Sequence, residues 1–483
     1  MKAGFLVFSV SAVSLLVLSG CTLGPDYHRP TPNLPAHWSQ PKDQSTRSRA
    51  TDGNIDSRWW ESFGDPELSA LLRDAQAGNL DLKAAMFHVD QSLAARATVT
   101  ADRLPAVGAA ASYSRARNSE QGLSDISGND GKSDYSVWNS GLNFSWEADL
   151  WGRVRRSVEV ADATVSISEE DQHAAMVSVL AETARDYIQL RGTQNTLKIT
   201  RDNLAIAQNT LDLTQTRLNQ GVATQLEVSQ ASALVDSIDA RVPPLEQQEH
   251  VLMNALSFLM GRAPGALDAQ LQTMGDIPSG PAQVPVGMPS ELAQRRPDIR
   301  RAENSLHAAT AAIGIAKADF YPRITLSGNA GLQAMQLSNL GDWASHSFAF
   351  GPAMSIPLFE GGRLQGALKL SESRQQEAAV NYQRTVLAAW HEVDNALSNY
   401  QAEQRRHQSL QNAVRQSQNA LASAQEQYTQ GTVDYVNVLT VQNALLANQA
   451  ALIQSTADVS LTLVSLYQSL GGGWEQPPAG QIR

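Results

Sequence analysis

The chain states one plan twice. A shift of 210 positions carries Gly221 onto Gly431, Gly261 onto Gly471, Glu182 onto Glu392, Gly152-Arg153 onto Gly362-Arg363 and Ser145 onto Ser355. Earlier in each half the shift is 217, which lays Asn79-Leu80-Asp81-Leu82 on Arg296-Pro297-Asp298-Ile299 and Leu104-Pro105 on Tyr321-Pro322. The seven-residue difference falls between about 115 and 138, in a stretch rich in Gly, Ser, Asn and Asp that reads as a loop. Agreement at so many fixed offsets implies two copies of one unit of about 210 residues. A length of 483 residues would otherwise suggest two or three domains.

Each half has three parts. The first is an Ala-rich helix, roughly 66–101 and 289–318, ended by Leu104-Pro105 or Tyr321-Pro322. A proline there drives the chain out of helix and into extended backbone. The second is a pair of strands. In 137–147 the even positions Trp138, Leu142, Phe144 and Trp146 are apolar, whereas Asn139, Asn143, Ser145 and Glu147 are polar. In 323–333 Ile324, Leu326, Ala330 and Leu332 alternate with Thr325, Ser327, Asn329 and Gln333, and in 347–358 Phe348, Phe350, Met354, Ile356 and Leu358 alternate with smaller residues. A weaker strand near 106–115 places Val107, Ala109, Ala111 and Tyr113 on one face. Period two gives one apolar and one polar face. That fits either a soluble sheet lying on a core or a membrane sheet, apolar to lipid and polar to a lumen. Trp138, Trp146, Trp151, Trp343 and Phe359 near the strand ends suit interfacial girdles.

The third part is long helix. No proline interrupts Arg153 to Arg241 or Leu358 to Glu475. A helix over Arg363 to Gln430 would be about 100 Å long. Gly221 and Gly431 mark turns, after which a return helix of about 40 residues runs to Gly261 or Gly471. Val438, Leu445, Leu452, Val459 and Leu466 recur every seven residues in the last return helix, which predicts side-by-side coiled packing. Four strands cannot close a membrane barrel, which needs about eight or more, and an open edge in lipid leaves backbone groups unsatisfied. If the strands lie in a membrane, several chains must pool them.

The ends and the charge narrow the setting. Lys2, the apolar run Phe5–Leu18 and the small pair Ser19-Gly20 read as a signal peptide at 1–20. Leu18-Ser19-Gly20-Cys21 resembles the bacterial lipobox, so Cys21, the only cysteine, is expected to become a lipidated N-terminus. By the same resemblance, Thr22 in place of an Asp favours the outer membrane. A lone lipidated cysteine leaves no internal disulfide. A formal charge of −11 makes nucleic acid a poor partner.

Along nearly its whole mature length the chain resembles the TolC family of outer-membrane efflux proteins, in its OprM-like lipoprotein branch. The resemblance rests on "WWESFGDPELSALL" (59–72), "ADLWGR" (148–153), "RRPDIRRAE" (295–303), "YPRITLSGNAG" (321–331) and "PLFEGGRL" (357–364). It implies a mainly helical α+β fold with two repeats per chain. A homotrimer would carry a 12-stranded β-barrel in the outer membrane and a helical barrel in the periplasm, docked on a periplasmic adaptor and an inner-membrane pump. The implied layout is a lipidated extended segment at 21–65, a first repeat at 66–261, a linker at 262–288, a second repeat at 289–471 and a tail at 472–483.

The family closes its periplasmic end with the turns between long and return helices, here 218–231 and 428–441. Aligned on Gly221 and Gly431, Glu227 and Tyr428 fall where the family has an acid and a tyrosine bonded between helices, so Tyr428 is expected to donate to Glu227. Positions of constricting aspartates are Asn437 and Thr440 here, and a latch arginine is replaced by Val433. With Asp434 and Glu227 as the nearby acids, the constriction is expected to be less cation-selective and to close sterically through Val436, Val438 or Leu439.

The sequence carries no G-x-S-x-G, P-loop or G-x-G-x-x-G pattern, and no paired histidines at zinc spacing, so no enzyme, metal or cofactor is expected. The run Arg295, Arg296, Asp298, Arg300 and Arg301 reads either as inter-subunit ion pairing or as a solvated helix start. The expected function is a passive exit duct for small molecules such as drugs or toxic organics. The alternatives are a duct for type I protein secretion and a coiled-coil structural tether.

Overall fold

The computed structural model describes residues 22–31, 38, 49–51, 53, 56–117, 119, 134–289 and 292–474. The expected signal peptide, the lipidation site Cys21 and most of the predicted loop before 134 lie outside the described residues. In chain order the elements are strand β1 (Arg49–Thr51), helices α1 (Pro66–Gly78) and α2 (Leu80–Ala101), strands β2 (Ala106–Ala116) and β3 (Tyr135–Ala148), and helices α3 (Arg153–Asn219), α4 (Gln225–Asp239), α5 (Val242–Leu259) and α6 (Asp268–Leu271). Then follow β4 (Gln283–Pro285), α7 (Leu292–Arg295), α8 (Pro297–Ala318), β5 (Arg323–Ala334), β6 (His346–Ser355), α9 (Arg363–Thr429) and α10 (Tyr435–Ser469). The chain divides into two units: Met1–Pro30 with Val89–Ser168 and Ala302–Tyr382, and Thr31–His88 with Glu169–Arg301 and Gln383–Arg483.

In the first unit the four long strands form one antiparallel sheet in the order β2-β3-β5-β6. Each half of the chain supplies one hairpin, and the hairpins join through β3 and β5. The register sets Phe144 opposite Gly328 and Gly328 opposite Phe350, so two aromatic rings meet over a residue with no side chain, 5.9 Å apart. Pro352 sits in β6, an edge strand, where a missing N–H is tolerated.

The segment after Cys21 is bound firmly into this unit. The Leu23 amide donates to the Trp151 carbonyl (3.1 Å). Arg156 donates to the Leu23 carbonyl (3.1 Å) and pairs with Asp26 (2.7 Å) and Glu159 (2.7 Å). His307 meets Glu159 at 2.9 Å and stacks on Tyr27 at 4.3 Å. Arg29 and Tyr27 both reach Glu303. The crossing needs two glycines. A Cβ on Gly314 would lie 2.6 Å from the Leu23 carbonyl oxygen and 2.8 Å from Arg156 Cγ, and Gly24 (φ 95°) faces Gly314. No sequence pattern announced this strap, because each contact made by Leu23, Asp26, Tyr27 or Arg29 reaches a residue more than 100 positions away.

In the second unit Trp59 stacks on Tyr467 at 5.1 Å, and α1 buries Leu68, Leu71, Leu72 and Ala75. Tyr187 donates to Asp65, which also caps α1 through the Leu68 amide. The single helix expected over 66–101 is two. Asn79 breaks it, its Oδ1 accepting from the Asp81 and Leu82 amides (2.9 and 3.0 Å) while its Nδ2 donates to the Leu259 carbonyl (2.8 Å). At the matching place in the second half, Arg296 precedes Pro297 and donates to the Ser469 carbonyl (2.6 Å). The first return helix is also broken, at Ala240-Arg241 ahead of Pro243-Pro244 in the first turn of α5, whereas α10 runs unbroken for 35 residues. The expected linker and N-terminal segment contribute the two strands of a parallel pair, β1 with β4. In the charged run at 295–301, Arg296, Arg300 and Arg301 each find an acid within the chain. Arg296 meets Asp298 (2.8 Å) and Glu392 (2.6 Å), Arg300 meets the buried Glu170 (2.7 Å), and Arg301 meets Asp171 (2.6 Å).

Two outcomes follow. Gly314→Ala should lower stability by about 1–3 kcal/mol, because the added methyl forces backbone apart. Thermal unfolding with faster proteolysis of the 22–31 segment would register it, and an unchanged melting temperature would contradict the crossing. On α3, burial first and the Glu182 charge second push the Asp186 carboxyl up to about 7 from 3.8. The folded state then holds that proton more tightly, so this contribution is present below pH 3.8 and is lost as pH rises through about 7. Asp186→Asn should therefore raise the melting temperature at pH 8 and leave it nearly unchanged at pH 4; an equal gain at both would contradict the shift.

Candidate functional site

The long helices end at two matching turns. Gly221 and Gly431 adopt φ of 75° and 74°, a left-handed backbone that favours glycine. The following amides turn back on the helix, Val222 to the Arg217 carbonyl (2.9 Å) and Thr432 to the Gln427 carbonyl (3.0 Å). Both glycines thus stop their helices as expected. Helix α4 then starts on a capping box: the Glu227 amide donates to Thr224 Oγ1 (3.3 Å) and the Thr224 amide to Glu227 Oε2 (3.0 Å). Helix α10 starts after Asp434, whose carboxylate makes no such cap.

Glu227 is therefore engaged within its own turn, and the expected hydrogen bond from Tyr428 is not made. The Tyr428 hydroxyl is buried with no hydrogen-bond partner. Tyr428 is held instead by its ring. The Arg217 guanidinium lies 4.5 Å from the ring centroid, and Tyr435 packs against it at 5.4 Å. Burial first, then the Glu227 charge, raise the Tyr428 pKa; burial pushes Tyr435 up to about 12, so both stay neutral phenols at ordinary pH. Tyr435, Val438 and Ala231 form a small buried cluster with Leu211, Leu421 and Leu439 packed around it. Val438 is thus core and cannot serve as a steric plug, whereas Val436 is half-exposed. Asp434, Asn437 and Thr440 are exposed at the same tip, and the Thr440 hydroxyl donates to the Val436 carbonyl (2.8 Å). Arg217 and Tyr435 escaped the sequence reading because their partners across the 210-residue shift, Gln427 and Gln225, carry neither charge nor ring.

The sheet is the second functional element. Of all its residues only Ala334 is buried. Val107, Tyr113, Leu142, Phe348, Phe350 and Met354 are each at least half exposed. This removes the soluble alternative, in which the apolar face would lie on a core. Tyr113 and Trp138 meet at 4.4 Å towards one end, and Trp151 and Tyr321 at 4.9 Å at the other, where Trp146 Nε1 also donates to the Arg103 carbonyl. Trp138 and Trp146 lie eight residues apart on β3, roughly 26 Å along a strand, about the height of the apolar band of a membrane barrel. No described helix is long and apolar enough to cross a membrane.

Two stretches, 71–262 and 288–472, match the family described as outer membrane efflux protein. The outer membrane protein OprJ of Pseudomonas aeruginosa is 32% identical over 97% of this chain and 96% of its own length. The toluene efflux pump outer membrane protein TtgC of Pseudomonas putida is 33% identical over 96% of this chain and 95% of its own length. The solved outer-membrane channel OprN superposes with a TM-score of 0.87 at 33% identity, covering 94% of this chain and all of that one.

Because Tyr428 is held by its ring and its buried hydroxyl is unpaired, Tyr428→Phe should not lower thermal stability and should raise it by up to about 1–3 kcal/mol. Arg217→Ala should cost about 0.5–1 kcal/mol. A loss above about 1 kcal/mol on removing the hydroxyl alone would mean that it has a partner.

Proposed function

The chain belongs to the outer membrane efflux protein family, and from that membership we propose that three copies pool their strands into one twelve-stranded outer-membrane barrel. The observation that carries this reading is the sheet itself: its apolar face is exposed, and β2 and β6 have no neighbour on their outer sides among the described residues. In lipid such edges are tolerated only if another copy satisfies them. The polar face, with Asn143 beside Asn329 and Ser145 beside Ser327, then lines a water-filled lumen. The duct is passive. An inner-membrane pump supplies the energy and a periplasmic adaptor joins the two. Small toxic organics or drugs are the cargo, in keeping with a relative named for toluene efflux.

In this reading 66–261 and 289–471 descend from one duplicated unit, and the tips around Gly221 and Gly431 form the periplasmic gate. Glu227 and Tyr428 shape the turns, while Asp434, Asn437 and Thr440 face the constriction. Packing of the Tyr428 ring against Tyr435 and Arg217 holds the tip in place of a Tyr428–Glu227 bond. Lipidation of Cys21 fits the strap, since Thr22 packs on Gly152 at the helix end of the sheet, beside Trp151.

The purified protein should give conductance steps of fixed size in a planar bilayer. Phe350→Arg, at the middle of the apolar face, should impair membrane insertion at a cost of about 2–4 kcal/mol. Absence of conductance from the parent, with Phe350→Arg fractionating as the parent does, would overturn the duct.

A further inference from the structure

Where the sheet meets the helices, the first unit contains a cleft of about 450 Å³. Its walls carry the carboxylates of Glu147, Asp149, Asp319 and Glu360 and the guanidiniums of Arg153, Arg323 and Arg363. Strand alternation fixes the side on which it opens. Glu147 is opposite Thr325, and Arg323 opposite Ser355, all on the polar face that would line the lumen.

Every acid here has a basic partner, but the pairs are not equally buried. Arg153 grips Glu147 with two bonds of 2.8 and 2.7 Å, and the pair is mostly covered at 27% and 18% exposure. Asp149 accepts from the Val154 and Arg155 amides and from the Arg155 side chain, which secures it at the start of α3. Arg323 pairs with Asp319 at 3.2 Å and Arg363 Nε with Glu360 at 2.6 Å, and in these the base is the outer member. Arg323 is 49% and Arg363 66% exposed, against 34% and 31% for their acids. Permeant molecules would meet the positive end of each pair.

The duplication shows how this arose. Arg153 and Arg363 occupy the same position in the two halves, 210 residues apart. The position that holds Glu147 in the first half holds Pro357 in the second, so Arg363 lacks the two-pronged acid that draws Arg153 inward. One copy of the arginine became part of the wall and the other stayed on its surface.

We propose that Arg323 and Arg363 form an anion-attracting collar inside the duct at the junction of barrel and helices, where their forked guanidiniums transiently engage carboxylate, sulfonate or phosphate groups of permeant molecules. This rests on the duct reading above. The collar adds a charge filter opposite in sign to the acids at the tip, and three copies would close it into a ring. Rings of arginine favour anions in pores, and the planar fork matches an oxyanion.

The test is the reversal potential of single channels in a potassium chloride gradient. Replacing both residues by glutamine should lower the chloride-to-potassium permeability ratio about twofold or more. Replacing both by lysine should keep the parent ratio, which shows that charge rather than folding moved it. Channels of unchanged selectivity in the glutamine variant, or equal loss in both variants, would overturn the collar and leave the duct intact. If the parent forms no channels, the duct reading fails and the collar with it.

Discussion

The unfinished sheet governs the rest of the molecule. Four antiparallel strands with apolar residues exposed along one face, and with outer edges that nothing described here pairs, cannot rest in water or alone in lipid. Water penalises the exposed apolar area, and lipid penalises unsatisfied N–H and C=O groups by several kcal/mol each. Both costs vanish if the apolar face meets lipid and each edge meets another copy. In the proposed trimer, closure by association is a consequence of the strand number that each chain supplies.

The helices follow from a different constraint. Each 67-residue helix, α3 and α9, must end abruptly and return, and each does so on a left-handed glycine with the same pair of backbone bonds. What differs between the tips is the side-chain chemistry after the turn. One tip spends its acid on a capping box, while the other leaves Asp434 unengaged and buries Tyr435. The junction cleft shows the same divergence, with one arginine locked on Glu147 and its counterpart exposed. The two halves share a frame, and single differences such as Glu147 against Pro357 change which side chains that frame pairs.

Much of this was legible in sequence because it obeys short periods. Strand alternation in β3 and β5 survives because two solvents, lipid and water, select opposite residues. The turns at Gly221 and Gly431 were visible because only glycine takes that backbone without strain. The α+β, mainly helical fold was correctly expected for these reasons. Features set by long-range contact were not legible. Asn79 breaks a helix through its own side chain and a carbonyl 180 residues away, and the local signal, Gly78-Asn79, was outweighed by the Ala-rich run around it. The strap over Gly314 depends on a missing Cβ in mid-helix. At the tip, alignment on the glycines pointed to Glu227 and Tyr428 but not to their real partners, Thr224 and Arg217, because a capping box and a cation–π contact are local alternatives that alignment does not weigh.

In the proposed duct one chain is an arc of wall and never a closed one. The most direct measurement is the mass of the lipidated, detergent-solubilised protein by native mass spectrometry. Three chains in one particle is the predicted result, with no stable single-chain species at working concentration. A monomer that persists in mild detergent with its strands protected from hydrogen exchange would contradict the account, because its sheet would then have found closure without a second copy.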